Sequence, residues 1–435
     1  MLNARARWLG ASLLAAALTA WYLAMAAAPA SADTVRDAQL WVLNAVGAPT
    51  AWQLTEGQGT TVAVIDSGVN PAVSDLAGSV VTGPDLTGVH TPMGNPNWGV
   101  HGTWMASLIA GHGHARGGSG IMGIAPRSRV LSIRVVTDRK DPGYATYQHE
   151  SDSRVQNALA QAIGYAVRHQ VSVISMSLGY GEPSAVVRTA LQNALDHGVV
   201  VVASSGNSGE SVGARAAGQA PYSFPADYPG VLGVAAVSRS GAPAGFSSDN
   251  LSVQVAAPGV NVPAQGRDGQ YWLVSGTSPA CALSAGVAAL IKARYPGLAP
   301  ALVVRAITSS TRHRPPGGYD DKVGFGTVDA AGALTAAGRL AGHLRPAAGL
   351  PVGSYFGGGS AAVPAVPVRP RGATGLITAC LTGLGCLALA GIAGAGLAAL
   401  RRAGARGQHA VPRPPAPAWP GPRVQASWPD AEEPG

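Results

Sequence analysis

Four short segments carry side chains that folding alone does not call for. In Val62-Ala63-Val64-Ile65-Asp66-Ser67-Gly68 a carboxylate ends an apolar run and is followed by a small residue and a glycine. His101-Gly102-Thr103 opens an apolar stretch, Trp104 to Ala110, that reads as a helix. In Ala203-Ser204-Ser205-Gly206-Asn207 another apolar run breaks into a Gly-Asn turn. Ser275-Gly276-Thr277-Ser278 stands immediately before a long Ala-rich helical pattern. A carboxylate, an imidazole, an amide and a hydroxyl are the groups that proton transfer and nucleophilic attack draw on. Each also has an ordinary structural use. A strand-ending Asp caps or turns, an Asn after Gly turns, a Ser before a helix is an N-cap, and His101 can cap its own helix.

The elements around them alternate. Thr61–Ile65, Val130–Val136, Val171–Met176, Val199–Ala203 and Val231–Val237 are near-continuous Val- and Ile-rich runs, as expected of strands covered on both faces. Val155–His169, Ser184–His197, Pro279–Tyr295 and Ala299–Ser309 carry helical patterns. This alternation predicts an α/β fold with a mostly parallel central sheet and helices on both faces. The carboxyl ends of parallel strands are where such folds place functional groups. Asp138 to Ser153, with Tyr144 and Tyr147 near its middle, is the most charged loop and is expected to be exposed.

In the order Asp, His, Asn, Ser, with these flanking residues, the four segments together resemble the subtilisin-type serine peptidases. Ser177-Leu178-Gly179 is similar to the family's substrate-binding strand. Phe224-Pro225-Ala226 to Val237, Phe246-Ser247-Ser248 and Ala257-Pro258-Gly259 also fall in register. The resemblance runs from about Leu40 to Ala337, and it implies a subtilisin-like three-layer fold. It further implies Ser278 as nucleophile, His101 as the base that activates it and Asp66 as the residue that orients the imidazole. Asn207 and the Ser278 backbone N–H would hold the oxyanion. A polypeptide substrate would lie extended along Ser177, Leu178 and Gly179. Ser204, Ser205 and Gly206 would line a roomy pocket for the residue before the cut. Two features depart from the family pattern. Pro279 follows the nucleophile where an apolar residue such as Met or Phe is usual, and Trp104 and Ser107 replace a usual His and Gly.

The ends of the chain read as membrane signals. Arg5 and Arg7, the apolar Trp8–Ala28 and the Ala30-Ser31-Ala32 motif predict a signal peptide over 1–32, with a mature start near Asp33. Residues 33–344 are then the peptidase domain, and 345–372 a Pro- and Gly-rich linker. Ala373–Leu400 is 28 residues without a charge, long enough for one transmembrane helix. Arg401, Arg402 and Arg406 follow it and predict a cytoplasmic, disordered tail over 401–435. The catalytic domain would thus be extracytoplasmic, on a single-pass membrane protein. This division changes the meaning of the net charge of +8. Of 30 Lys and Arg, two lie in the leader and seven from Arg369 onward, leaving 21 against 19 acidic residues in between. A near-neutral domain gives no reason to expect nucleic acid as a partner. Of the three cysteines only Cys281 lies in the exported domain, so no internal disulfide is expected there.

Only 33 positions separate Asp33 from Asp66, too few for a folded pro-domain. That short N-terminus, the C-terminal anchor, the Pro-rich spacer, and Gly324-Phe325-Gly326 with Val328-Asp329 resemble the mycosins, the membrane-anchored peptidases of type VII secretion. The resemblance implies subunits of a secretion complex as partners. It also leaves open a structural subunit in which proteolysis is secondary. Mycosins often carry disulfides in the exported domain, which this chain cannot form internally. No cofactor is expected. His112 and His114 sit in a Gly-rich stretch without neighbouring carboxylates or cysteines, so no metal set is expected. A dinucleotide site lacks its G-x-G-x-x-G after the first strand.

Overall fold

The computed structural model describes residues 34–114, 119–149 and 152–342. The leader (1–32), the linker (345–372), the apolar run (373–400) and the tail (401–435) lie outside the described residues, and with them the expected transmembrane helix. Among the described residues no helix is long and apolar enough to cross a membrane.

The described chain opens with α1 (Thr34–Val46), the short α2 (Ala48–Ala51), β1 (Thr61–Asp66), β2 (Val80–Asp85) and α3 (Val100–Ala110). An antiparallel pair, β3 (His112–His114) and β4 (Ser119–Met122), precedes β5 (Arg129–Arg134), α4 (Tyr144–Gln148) and α5 (Asp152–Arg168). Next come β6 (Val173–Met176), α6 (Ala185–Asp196), β7 (Val200–Ser204), α7 (Val212–Ala217), β8 (Leu232–Val237) and β9 (Val253–Pro258). A hairpin of β10 (Val262–Gln265) and β11 (Tyr271–Val274) leads into α8 (Thr277–Arg294), then α9 (Pro300–Ser309) and α10 (Ala330–Gly342).

Seven strands form one sheet in the order β2-β5-β1-β6-β7-β8-β9, with every neighbouring pair parallel. The alternation of side chains along each strand divides the interior in two. Val62, Val64, Val130, Val173, Val200 and Val202 face a core shared with α1, α3, α8, α9 and α10. Ala63, Ile65, Leu131, Ile133, Ile174 and Val201 face a second core built with α5 and α6. Removing a Val or Ile side chain from water contributes about 1.5–3 kcal/mol, so strands apolar on both faces can settle only between two helical layers. The expected three-layer α/β fold is what forms.

Helix α8 is buried around most of its circumference. Its Ala and Gly content permits this. A Cβ at Gly286 would come within 2.6 Å of the Ile124 side chain, so close packing under the sheet needs a residue without one.

The charged loop is exposed along much of its described length, as expected, with two exceptions. Asp138 and Asp141 are buried, and Tyr144–Gln148 forms α4. Local charge predicted exposure, but a buried arginine and two backbone amides supply these carboxylates with partners inside the fold.

Candidate active site

Asp66 is the last residue of β1 and is buried at the carboxyl end of the sheet. His101 is the second residue of α3. The His101 Nδ1–H donates to Asp66 Oδ1 at 2.8 Å and lies 3.0 Å from Oδ2. The Ser67 amide also donates to Asp66 Oδ1, at 2.6 Å. Close packing makes the contact between β1 and α3. The Gly102 amide donates to Ser67 Oγ at 3.1 Å, and a Cβ at Gly102 would collide with the Gly68 carbonyl oxygen. The glycine after His101 is therefore a steric requirement of bringing imidazole and carboxylate together.

Burial pulls the His101 imidazole downward, but the Asp66 carboxylate, and behind it Asp138, outweigh that, so its pKa is raised above the ordinary histidine value. A raised imidazole is a stronger base and holds a proton more readily once it has taken one.

Ser278 is the second residue of α8, where backbone N–H groups point outward and the helix end carries partial positive charge. Gly276 precedes it with φ of 147° and ψ of 174°, a conformation open essentially to glycine alone. Ser278 Oγ donates to the Ser177 carbonyl at 3.4 Å, and Ser177 Oγ donates to the Ser278 carbonyl at 3.1 Å. The segment Ser177-Leu178-Gly179 thus lies directly beside Ser278. Its other side is tied down through Tyr180, which exchanges two backbone hydrogen bonds with Phe224 at 2.8 and 2.9 Å. Pro279, third in α8, is buried, and its missing N–H falls in the first turn, where no intrahelical partner exists.

Asn207 follows β7. Its Oδ1 accepts from the Thr277 amide at 2.9 Å and the Thr277 hydroxyl at 3.0 Å. Ser204 ends β7, and Ser205 and Gly206 follow it, Ser204 and Ser205 both buried. A Cβ built on Gly179 would come within 2.3 Å of Ser223 Oγ, and one built on Gly206 within 3.3 Å of the same oxygen.

Two contributors carry no local sequence signal for their roles: Asp138, which accepts from the Val100 and His101 amides, and Thr277 as the anchor of Asn207. Only the fold brings their partners near. Trp104 sits edge-on to His101 with ring centroids 6.3 Å apart and packs on Trp272 at the same separation. The His112–His114 stretch does gain a carboxylate, since His114 Nδ1 lies 2.7 Å from the buried Asp75. Among the described residues no group of three or more His, Cys, Asp or Glu could hold a metal ion.

A parallel sheet with an Asp–His pair at one strand end, and a serine at the start of a helix packed on that sheet, marks a class of hydrolase. The model of the Subtilase family, the S8 peptidases, matches residues 57–326, and the chain belongs to that family. It is a serine peptidase.

Within the family it is closely related in sequence and structure to the mycosins. Mycosin-1 of Mycobacterium tuberculosis is 34% identical over 339 residues, covering 68% of this chain and 73% of that one. Thermitase of Thermoactinomyces vulgaris is 33% identical over 247 residues, covering 57% and 79%. The crystal structure of MycP1 from Mycobacterium smegmatis superposes with a TM-score of 0.56 at 29% identity, covering 68% of this chain and 84% of that one. The MycP3 protease from the type VII (ESX-3) secretion system gives 0.56 at 30%, covering 68% and 87%.

Proposed function

We propose that this chain is a membrane-anchored, extracytoplasmic serine endopeptidase that works through Asp66, His101 and Ser278. Ser278 Oγ attacks the scissile carbonyl while His101 Nε2 takes its proton. Asp66, holding Nδ1–H, fixes the tautomer and stabilises the imidazolium. The carbonyl oxygen becomes an oxyanion held by Asn207 Nδ2–H and the Ser278 amide. His101 then gives its proton to the departing amine, leaving an acyl-enzyme. Water, deprotonated by His101, attacks that ester and restores Ser278. The peptide lies extended along Ser177, Leu178 and Gly179, with the residue before the cut against Ser204, Ser205 and Gly206. The observation that carries this reading is the Asp66–His101 hydrogen bond at the carboxyl end of the interior strand β1.

The proposed topology is a leader over 1–32, the peptidase over 33–344, a linker over 345–372, a transmembrane helix over 373–400 and a cytoplasmic tail over 401–435. Its likeness to proteases of type VII secretion systems supports subunits of such a complex as partners and a polypeptide as substrate.

A fluorophosphonate probe applied to membranes carrying the full chain tests the chemistry. The parent should be labelled at Ser278, and Ser278→Ala and His101→Ala should not. A parent that is folded but unlabelled overturns the catalytic reading. The same outcome, combined with secretion that survives Ser278→Ala, would favour the structural-subunit role. For the topology, a C-terminal tag should resist protease added to intact cells while the peptidase domain is shaved off.

A further inference from the structure

Helix α3 brings His101 to the site, yet its own start offers nothing to hold it. The residue before it, Gly99, has φ of 70° and no side chain with which to cap the helix. The first amides of a helix have no intrahelical acceptor and need one from elsewhere. Here a single carboxylate, some 38 positions later in the chain, supplies it for the first two amides, while Ser67 Oγ accepts from the third, that of Gly102. Asp138 Oδ2 accepts from the Val100 amide at 2.7 Å, and Asp138 Oδ1 accepts from the His101 amide at 3.1 Å. Asp138 is only 5% exposed. Burying a carboxylate is unfavourable unless its oxygens are satisfied, so this placement needs the two amides as much as they need it.

We propose that Asp138 is a positioning residue for His101, fixing the backbone from which the imidazole projects while Asp66 fixes the ring. The inference rests on His101 being the general base.

The loop that carries Asp138 is itself held. The Asp141 amide donates to the Asp138 carbonyl at 2.8 Å, closing a tight turn. The buried Asp141 carboxylate takes Arg134 Nη2 at 2.8 Å and the Thr91 hydroxyl at 2.5 Å. Arg134 Nε reaches back to the carbonyl of Ser67, the residue after Asp66, at 3.1 Å. Both carboxylates that touch His101 are thereby tied to one buried guanidinium, Asp66 through the backbone next to it and Asp138 through its turn. A catalytic geometry held to a fraction of an ångström needs such support, because a misplacement of about 1 Å can cost ~100-fold in rate.

Asp138 also contributes charge. His101 faces Asp66 and Asp138, and Asp138 in turn faces Arg267 and Asp66. Asp138 adds to the pull of Asp66 in favouring the protonated imidazole, against burial. Burial raises the pKa of Asp138 itself, with His101 and Ser67 opposing it.

The sign of the pH effect follows. His101 must be neutral to act as a base, so its pKa sets the acid limb of the rate profile. Removing the Asp138 charge makes the imidazolium less favourable and moves that limb to lower pH. A purely structural cap would lower the rate and leave the limb in place.

The test is the rate at which a fluorophosphonate modifies Ser278 in the full chain, followed from pH 4.5 to 9, for the parent, Asp138→Ala and Asp138→Asn. In Asp138→Ala the rate should fall roughly 10- to 100-fold, with the acid limb moved to lower pH. Asp138→Asn keeps one acceptor oxygen but no charge, so part of the rate should return while the limb stays shifted. Thermal melts establish that each variant is folded. Should Asp138→Ala not fold, Asp138→Asn carries the comparison. Parent-like rates in a folded variant overturn the proposal, as does a slowed rate with an unmoved limb. Failure of both variants to fold would make Asp138 a folding residue and overturn it too. A parent that is never labelled is a different result, since it removes the general base on which the inference stands.

Discussion

The side-chain oxygen of Asn207 accepts two hydrogen bonds from one residue, Thr277, through its amide at 2.9 Å and its hydroxyl at 3.0 Å. A backbone N–H can only donate, so the end of Asn207 that meets it must be the oxygen. The orientation of the amide is thereby fixed, and its NH₂ end is turned away from Thr277. Thr277 opens α8 and immediately precedes Ser278. The same turn of helix therefore presents the proposed nucleophile and sets the proposed oxyanion donor.

Asn207→Ala should then lower kcat by roughly 10²–10³-fold with little change in KM, because the donor acts on charge that exists only in the transition state. Thr277→Val keeps the backbone N–H and loses the hydroxyl. It should cost about one neutral hydrogen bond, ~0.5–1.5 kcal/mol, or up to about tenfold in kcat. Steady-state kinetics on any peptide the enzyme cleaves would decide this. A Thr277→Val effect confined to KM would refute the argument.

Arg134 is 2% exposed and pairs with Asp85 at 2.5 Å and Asp141 at 2.8 Å, the latter fully buried. Arg134→Met should destabilise the domain by about 3–5 kcal/mol, since it strands the Asp141 charge in the interior. Adding Asp141→Asn to that variant should restore part of the loss. Denaturant midpoints of the two variants give the coupling. An unchanged midpoint in Arg134→Met would show the pair to be energetically idle.

What the sequence discloses follows from how local each signal is. Strands β1, β5, β6, β7 and β8 are covered on both faces and so appear as unbroken apolar runs. The edge strand β2 is Val80-Val81-Thr82-Gly83-Pro84-Asp85, half exposed and interrupted by Gly and Pro, and it carries no such signature. Asp66, His101, Asn207 and Ser278 stand out because each ends or begins an element at a point where its neighbours are small. Asp138 does not stand out, because an acid in a charged loop gives no sign of its burial. Its two partner amides belong to a helix 37 and 38 positions earlier.

Asp227 gives a pH dependence of stability. One of its oxygens accepts from the Ser223 amide, and the other is buried without a hydrogen-bond partner. Burial raises its pKa from 3.8 to about 6. The folded state therefore binds this proton more tightly than the unfolded state does. Its contribution is most favourable below about pH 4 and is lost as pH rises through about 6. Asp227→Asn carries no charge to bury, so it should melt close to the parent at pH 4.5 and increasingly above it toward pH 7.5. Equal melting temperatures at pH 7.5, or a gap that narrows with rising pH, would contradict this.

Cys281 lies one turn below Ser278 on α8, fully buried, with its Sγ 3.6 Å from the Met176 carbonyl and 3.8 Å from Ser175 Oγ. Burial pushes its thiol up to about 11, with those hydrogen bonds opposing the shift. Only the thiolate reacts, so at pH 8 roughly one molecule in a thousand carries the reactive form, and that one is shielded from solvent. Iodoacetamide at pH 8 should therefore leave Cys281 unmodified in the folded protein and alkylate it readily in guanidinium, as mapped by mass spectrometry to separate it from Cys380 and Cys386. Fluorophosphonate labelling of Ser278 should be unaffected by the same treatment. Rapid alkylation of Cys281 in a chain that still melts cooperatively would mean that the interior beneath the nucleophile is open.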